Sequence, residues 1–174
     1  MVPQPESGYL NAMKKYLDIY LNDQFALGVA WRELARRAAA NNRGTDLGDA
    51  LQRVATGIAE DVDTFRDIMR HLDTRTDPVK PALTWVAERI GRLKLNGRLR
   101  GYSPLSRFEE LEFLAMGIEG KKQLWTTLRD LAGLATRLPD TDFDELIRRA
   151  DKQRADLEPL RVRAGTDALE TTTS

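Results

Sequence analysis

Six cations, Arg89, Arg92, Lys94, Arg98, Arg100 and Arg107, follow one another with no acidic residue between the first and the last. A run of this kind, close to Tyr102, can meet phosphate, nucleic acid or an acidic protein surface, because guanidinium groups present forks of donors to anionic oxygens. Lys plus Arg and Asp plus Glu nevertheless balance at 27 each, so no overall field steers the chain toward a polyanion. No nucleic-acid motif accompanies the run, and pairing with acidic faces of neighbouring helices is the favoured expectation for these arginines. The carboxylates are plentiful: Glu60, Asp61, Asp63 and Asp67 in one segment, Glu109, Glu110, Glu112 and Glu119 in another. Most stand beside arginines at helical spacing, which reads as a solvated surface of weak pairs and gives no distinct support for paired-carboxylate hydrolysis. The chain has no cysteine and one histidine, His71. Thiolate nucleophiles, cysteine metal sites and multi-histidine centres are therefore excluded. His71 falls at the end of an expected helix, where its imidazole complements the helix dipole.

The elements that must position these groups are helical, since apolar residues recur at three- and four-residue steps and no alternating strand pattern occurs. A first helix is expected from about 7 to 40, with a stripe of Leu10, Met13, Leu17, Tyr20, Gln24, Leu27, Trp31, Leu34 and Ala38, ended by Asn41-Asn42-Arg43-Gly44. Thr45 or Asp46 caps a second, whose inner face is Leu51, Val54, Ile58, Asp61, Phe65, Ile68 and Leu72. The short loop between them makes the two helices antiparallel. Residues 73–103 read as a crossover with a short helix opened by Asp77-Pro78 and bearing Val79, Leu83, Val86, Ile90 and Leu93. Ser103 caps and Pro104 starts a third long helix, expected to reach about Leu138 although Gly117, Gly120 and Gly133 weaken it. A last helix is expected from about Phe143 to Arg163, kinked or shortened by Pro159. The expected organisation is a flexible N-terminus at 1–6, one domain at 7–164 and a disordered tail at 165–174.

On these residues the chain resembles rubrerythrin and other ferritin-like proteins, whose first and third helices carry Ala-Ile-x-x-Glu, a small residue, then Leu-Ala. Tyr20-Leu21-x-x-Gln24-x-x-Leu27 with Trp31-x-x-Leu34-Ala35 fits one copy; Gly117-Ile118-x-x-Lys121-x-x-Leu124 with Leu128-x-x-Leu131-Ala132 fits the other. The second and fourth helices of that family carry Leu-Ala-x-x-Glu-x-x-His, against Val54-Ala55-x-x-Ile58-x-x-Asp61 and Leu146-Ile147-x-x-Ala150-x-x-Gln153 here. The resemblance implies an all-α, ferritin-like four-helix bundle with a crossover segment carrying a short extra helix. It also places Gln24, Ile58, Asp61, Lys121, Ala150 and Gln153 where the family binds two irons. One carboxylate and two amides beside an ammonium cannot compensate two hard cations, so no metal or other cofactor is expected, and no catalytic residue is assigned. In place of the metals, an Asp61–Lys121 ion pair with Gln24 and Gln153 as hydrogen-bonding neighbours is expected, since each charge is too costly to bury alone.

The leading functional expectation is a non-enzymatic interaction or structural protein. The alternatives are a ligand-binding protein or enzyme using the polar cavity near Asp61 and Lys121, and anion or nucleic-acid binding through Arg89 to Arg107. An open cavity reaching Lys121 favours ligand binding, and a filled core favours the scaffold. Expected partners are a second copy or another protein, with Trp85 as a candidate docking residue. No run approaches the ~20 apolar residues of a membrane span, and no membrane association is expected. A cytoplasmic location is expected, and the excess of arginine over lysine suggests a bacterial source of high G+C content.

Overall fold

A computed structural model describes residues 6–76, 102–131 and 134–170, with side chains from Ala12 onward. Among the described residues every secondary-structure element is a helix: α1 Glu6–Asn41, α2 Asp46–His71, α3 Pro104–Asp130, α4 Leu134–Arg137 and α5 Phe143–Leu169. The expected crossover helix lies outside them, as do Trp85 and five of the six clustered cations.

Local chemistry accounts for the helix ends. Gly44 closes α1 at φ 79, a left-handed conformation open to glycine. Thr45 then caps α2 by accepting from Gly48 N at 3.1 Å, while its hydroxyl donates to the Asn42 carbonyl at 2.7 Å. Position 48 must be glycine, because a Cβ there would stand 2.1 Å from the Asn42 carbonyl oxygen. Ser103 caps α3 with Pro104 in the first turn, and Asp142 caps α5 through Glu145 N at 2.8 Å. Beyond α2, Asp73 takes a left-handed φ of 53 and Thr74 N reaches back to the Met69 carbonyl at 2.9 Å, closing the last turn.

Four sequence expectations need correction. The third helix ends at Asp130 instead of Leu138, because Leu131 turns to extended backbone (ψ 133) and the chain restarts as the single-turn α4. The last helix runs to Leu169, so residues 165–169 are helix and not tail. Pro159 does not end it, since Ala164 and Gly165 pack inward beyond the proline. Finally, the inner stripe of α1 does not extend to Met13, which is 50% exposed. At 36 residues against 26, α1 is roughly 15 Å longer than α2, so its first turns project past the partner that covers the rest.

Each of the four long helices packs against two others, in the cyclic order α1, α2, α5, α3; α1 and α5 are not neighbours, nor are α2 and α3. The apolar core is divided in two. One cluster gathers Leu34, Ala38, Leu51, Val54, Leu111, Leu114, Ile118 and Leu157. The other gathers Leu21, Phe65, Met69, Leu124, Trp125, Leu128, Phe143 and Leu146. Along α2 and α3, Asp61 and Lys121 fall between residues of the first cluster and residues of the second.

Candidate functional site

On α2, Asp61 is seven residues before Ile68 and three after Ile58, both buried, so helical geometry drives its carboxylate into the interior. Its side chain is 1% exposed and Lys121, reaching across from non-adjacent α3, is 14% exposed. The Lys121 ammonium donates both to Asp61 Oδ2 and to Gln153 Oε1, and the Gln153 amide nitrogen donates to the same Asp61 Oδ2 at 2.9 Å. The amide orientation follows from this ring of contacts, since Oε1 must face the ammonium and Nε2 the carboxylate. Arg149 stands 3.0 Å from Asp61 Oδ1 but directs its N–H to Glu60 Oε2 at 3.0 Å. Asp61 Oδ1 therefore has an ion-pair neighbour and no hydrogen-bond donor.

Burial pushes the Lys121 ammonium below its ordinary pKa. The attraction and hydrogen bond of Asp61 oppose that shift, and the charge of Arg149 adds to it. A lysine so placed is costly to keep charged, which is why a carboxylate and an amide both attend it.

A partly open cavity of about 80 Å³ adjoins the pair. Its walls include Trp31, Phe65, Ile58, Leu124 and Trp125, with Gln24, Asp61 and Lys121 as the polar members. The aromatic wall is ordered by ring contacts: Phe65 meets Trp125 edge-on at 5.6 Å and Trp31 lies along Phe113 at 6.5 Å. Gly117 lets Trp31 approach, since a Cβ there would stand 2.7 Å from the indole. Gly57 makes the same allowance for Gln153, whose amide nitrogen would be 2.7 Å from a Cβ at 57. The indole N–H of Trp125 is buried without an acceptor.

Of the six positions singled out in the sequence, Gln24, Ile58, Asp61 and Lys121 line this cavity, Gln153 bonds to two of them, and Ala150 is fully buried in the neighbouring core. Gln24 is brought to the cavity but shares no hydrogen bond with Asp61, Lys121 or Gln153, so the expectation of two amide neighbours is corrected to one. Among the described residues no three His, Cys, Asp or Glu side chains gather as a metal site would require. Of the clustered cations, only Arg107 is described: its guanidinium lies 5.6 Å from the centre of the Tyr102 ring, and its Nε has no acceptor. His71 sits in the last turn of α2 with Nδ1 2.9 Å from the Asp67 carbonyl.

A second buried ionic cluster was not anticipated. Glu110, expected on the outer face, is 4% exposed. Arg37 donates to its Oε1 from two nitrogens at 3.1 and 2.8 Å, and the Tyr102 hydroxyl donates to its Oε2 at 2.9 Å. Asn42 in turn donates to the Tyr102 oxygen at 3.1 Å and to the Ala38 carbonyl at 2.8 Å. Burial and the Glu110 charge hold the Tyr102 phenol well above its ordinary pKa. The signal was present: Glu110, Leu114, Gly117, Lys121 and Leu124 follow one another at three- and four-residue steps, a single face of α3. Arg149 was missed although it is one turn before Gln153.

Comparison of the chain with family models, curated proteins and solved structures gives no match. Among the described residues, no helix is long and apolar enough to cross a membrane.

Proposed function

We propose that this chain is a ferritin-like four-helix bundle without a di-metal centre, which binds a small molecule in the interior cavity beside Asp61 and Lys121. The bundle reading is supported by the cyclic packing of four long helices and by the placement of α2 and α3 as non-neighbours. A chain that leaves α2 and enters α3 must cross between helix pairs, as ferritin-like connections do. The metal-free reading rests on the donor set: Asp61 is already bound to Lys121 and Gln153 and offers no open pair of carboxylates.

The observation that carries the binding reading is the cavity itself. A ligand site combines apolar walls with a few polar groups, and this cavity has both. Xenon under pressure, followed by methyl chemical shifts, tests it. Shifts confined to Leu27, Ile58 and Leu124 support an accessible cavity, and unchanged spectra at saturating pressure refute it. Stoichiometric iron or manganese in the purified protein refutes the metal-free part.

An interaction role is a second reading, favoured by the projecting end of α1. Met13, Tyr16 and Ile19 are exposed there, beside a groove of about 540 Å³ that also involves Leu17, Tyr20 and Leu131. Sedimentation of the protein and of a Met13→Ser, Tyr16→Ser variant tests it, with loss of an associated species as the expected result.

A further inference from the structure

We infer that the groove beside the projecting end of α1 binds a medium-chain fatty carboxylate, with its chain along the apolar lining and its head group at Arg137. This does not rest on the interior-cavity reading, and it assigns the groove to a small amphiphile instead of a second copy. The groove encloses about 540 Å³, within the range of about 300–1,000 Å³ that small-molecule sites occupy. Leu72 and Leu134 line it as buried residues, 2% and 3% exposed. Met13, Tyr16 and Leu131 line it while remaining 50%, 71% and 39% exposed. Apolar side chains gathered in this way on one concave surface are costly in water, and a hydrocarbon chain laid against them removes that cost.

Charge selects the head group. The charged residues of the groove are Lys14, Asp18 and Arg137. Lys14 lies 3.1 Å from Asp18 Oδ2, and the Thr74 hydroxyl donates to Asp18 Oδ1 at 2.6 Å, so Lys14 and Asp18 compensate each other within α1. Arg137, in the last turn of α4, is exposed and has no carboxylate partner among the described residues. One guanidinium beside an apolar groove therefore stays uncompensated, and its planar fork matches a carboxylate with two parallel hydrogen bonds. A cationic head would be repelled there. Volume selects the chain. An apolar cavity of about 150 Å³ holds benzene, so about 540 Å³ takes at most roughly twenty non-hydrogen atoms. A groove open on one side holds fewer, which suits a chain of about eight to twelve carbons.

The experiment is a titration of the full chain with decanoate, decanol and decyltrimethylammonium, each below its micelle concentration, read by calorimetry and by methyl chemical shifts. Decanoate is expected to bind saturably, shifting Met13, Leu17, Leu131 and Leu134 and leaving Ile58 and Leu124 of the interior cavity unmoved. Hexanoate is expected to bind more weakly, by about two- to fourfold for each CH₂ removed, as for a chain withdrawn from water. Arg137→Glu changes an exposed, unpaired side chain, so an unchanged urea midpoint is expected. It should weaken decanoate about tenfold, leave decanol unchanged and make decyltrimethylammonium the preferred ion. Decanoate bound no more tightly than decyltrimethylammonium, or equally well by Arg137→Glu, overturns the inference, as does an affinity independent of chain length. Shifts of the same methyls on dilution of the ligand-free protein would show a second copy in the groove. Binding to anionic vesicles without binding to monomeric decanoate would show a membrane surface as the partner. Either result overturns the inference. Decanoate binding without a xenon response removes the interior-cavity reading alone; a xenon response without decanoate binding removes this inference alone.

Discussion

Asp61 and Glu110 are both buried carboxylates paired with a cation from another helix, yet their surroundings differ in kind. Glu110 is closed on every side by a two-nitrogen contact from Arg37 and by the Tyr102 hydroxyl, itself steadied by Asn42. Asp61 has one oxygen doubly bonded and the other without a donor, and it borders a cavity. A planar guanidinium suits a permanent structural pair, whereas a lysine loses its charge more readily when buried. The Glu110 cluster has spent its hydrogen-bonding capacity on the fold; at Asp61 one oxygen keeps only the charge of Arg149 at 3.0 Å. That difference supports a structural role for Glu110 and is consistent with the ligand binding proposed beside Asp61.

The contrast is broken most directly by removing each cation. Arg37→Met strands a carboxylate whose side chain is 5% exposed, and should cost about 3–5 kcal/mol in urea denaturation. Lys121→Met leaves Asp61 with the Gln153 donor and the Arg149 charge beside an accessible cavity, so a smaller loss of about 1–3 kcal/mol is expected. Equal losses would show that the two clusters are not distinct.

Coupling sharpens the point next. The double variant Asp61→Leu, Lys121→Met should be more stable than the sum of the two single losses predicts, by about 0.5–3 kcal/mol in a double-mutant cycle. Additivity would mean that the pair does not act as a unit. Tyr102→Phe removes one donor from Glu110 and should cost about 1 kcal/mol, with no effect on cavity binding.

The smallest effects lie in the pH dependence, and they have opposite signs. Lys121 has a folded pKa below its ordinary 10.5, so the unfolded chain binds more protons and stability should rise as pH climbs through the folded pKa toward 10.5. Tyr102 has a folded pKa above 10.0, so its contribution is fully present below pH 10 and is lost as pH rises beyond that. Denaturation curves across this range should lose the rise in Lys121→Met and the fall in Tyr102→Phe. A rise that survives in Lys121→Met would remove the buried lysine from the account.

The helix positions were legible because they rest on local chemistry: Thr45, Ser103 and Asp142 cap, Gly44 stops, and apolar periodicity runs between them. The shared interior of Asp61, Lys121 and Gln153 could also be anticipated, from spacing within each helix together with a family resemblance. What stayed hidden depended on how helices meet. Glu110 stood on the inner face of α3 by its spacing, but the arginine run around it suggested a solvated surface. Only the packing of α1 on α3 supplied Arg37 as a partner and made burial affordable.

By itself, then, the sequence determined where helices start and stop and which faces turn inward, since caps and periodicity act over one or two turns. The tertiary structure decided that Gln24 shares no hydrogen bond with the polar pair, that Tyr102 and Asn42 complete the Glu110 cluster, and that a cavity remains beside Lys121. Voids and unmatched donors arise from the distances between elements remote in the chain, and no local pattern encodes those distances.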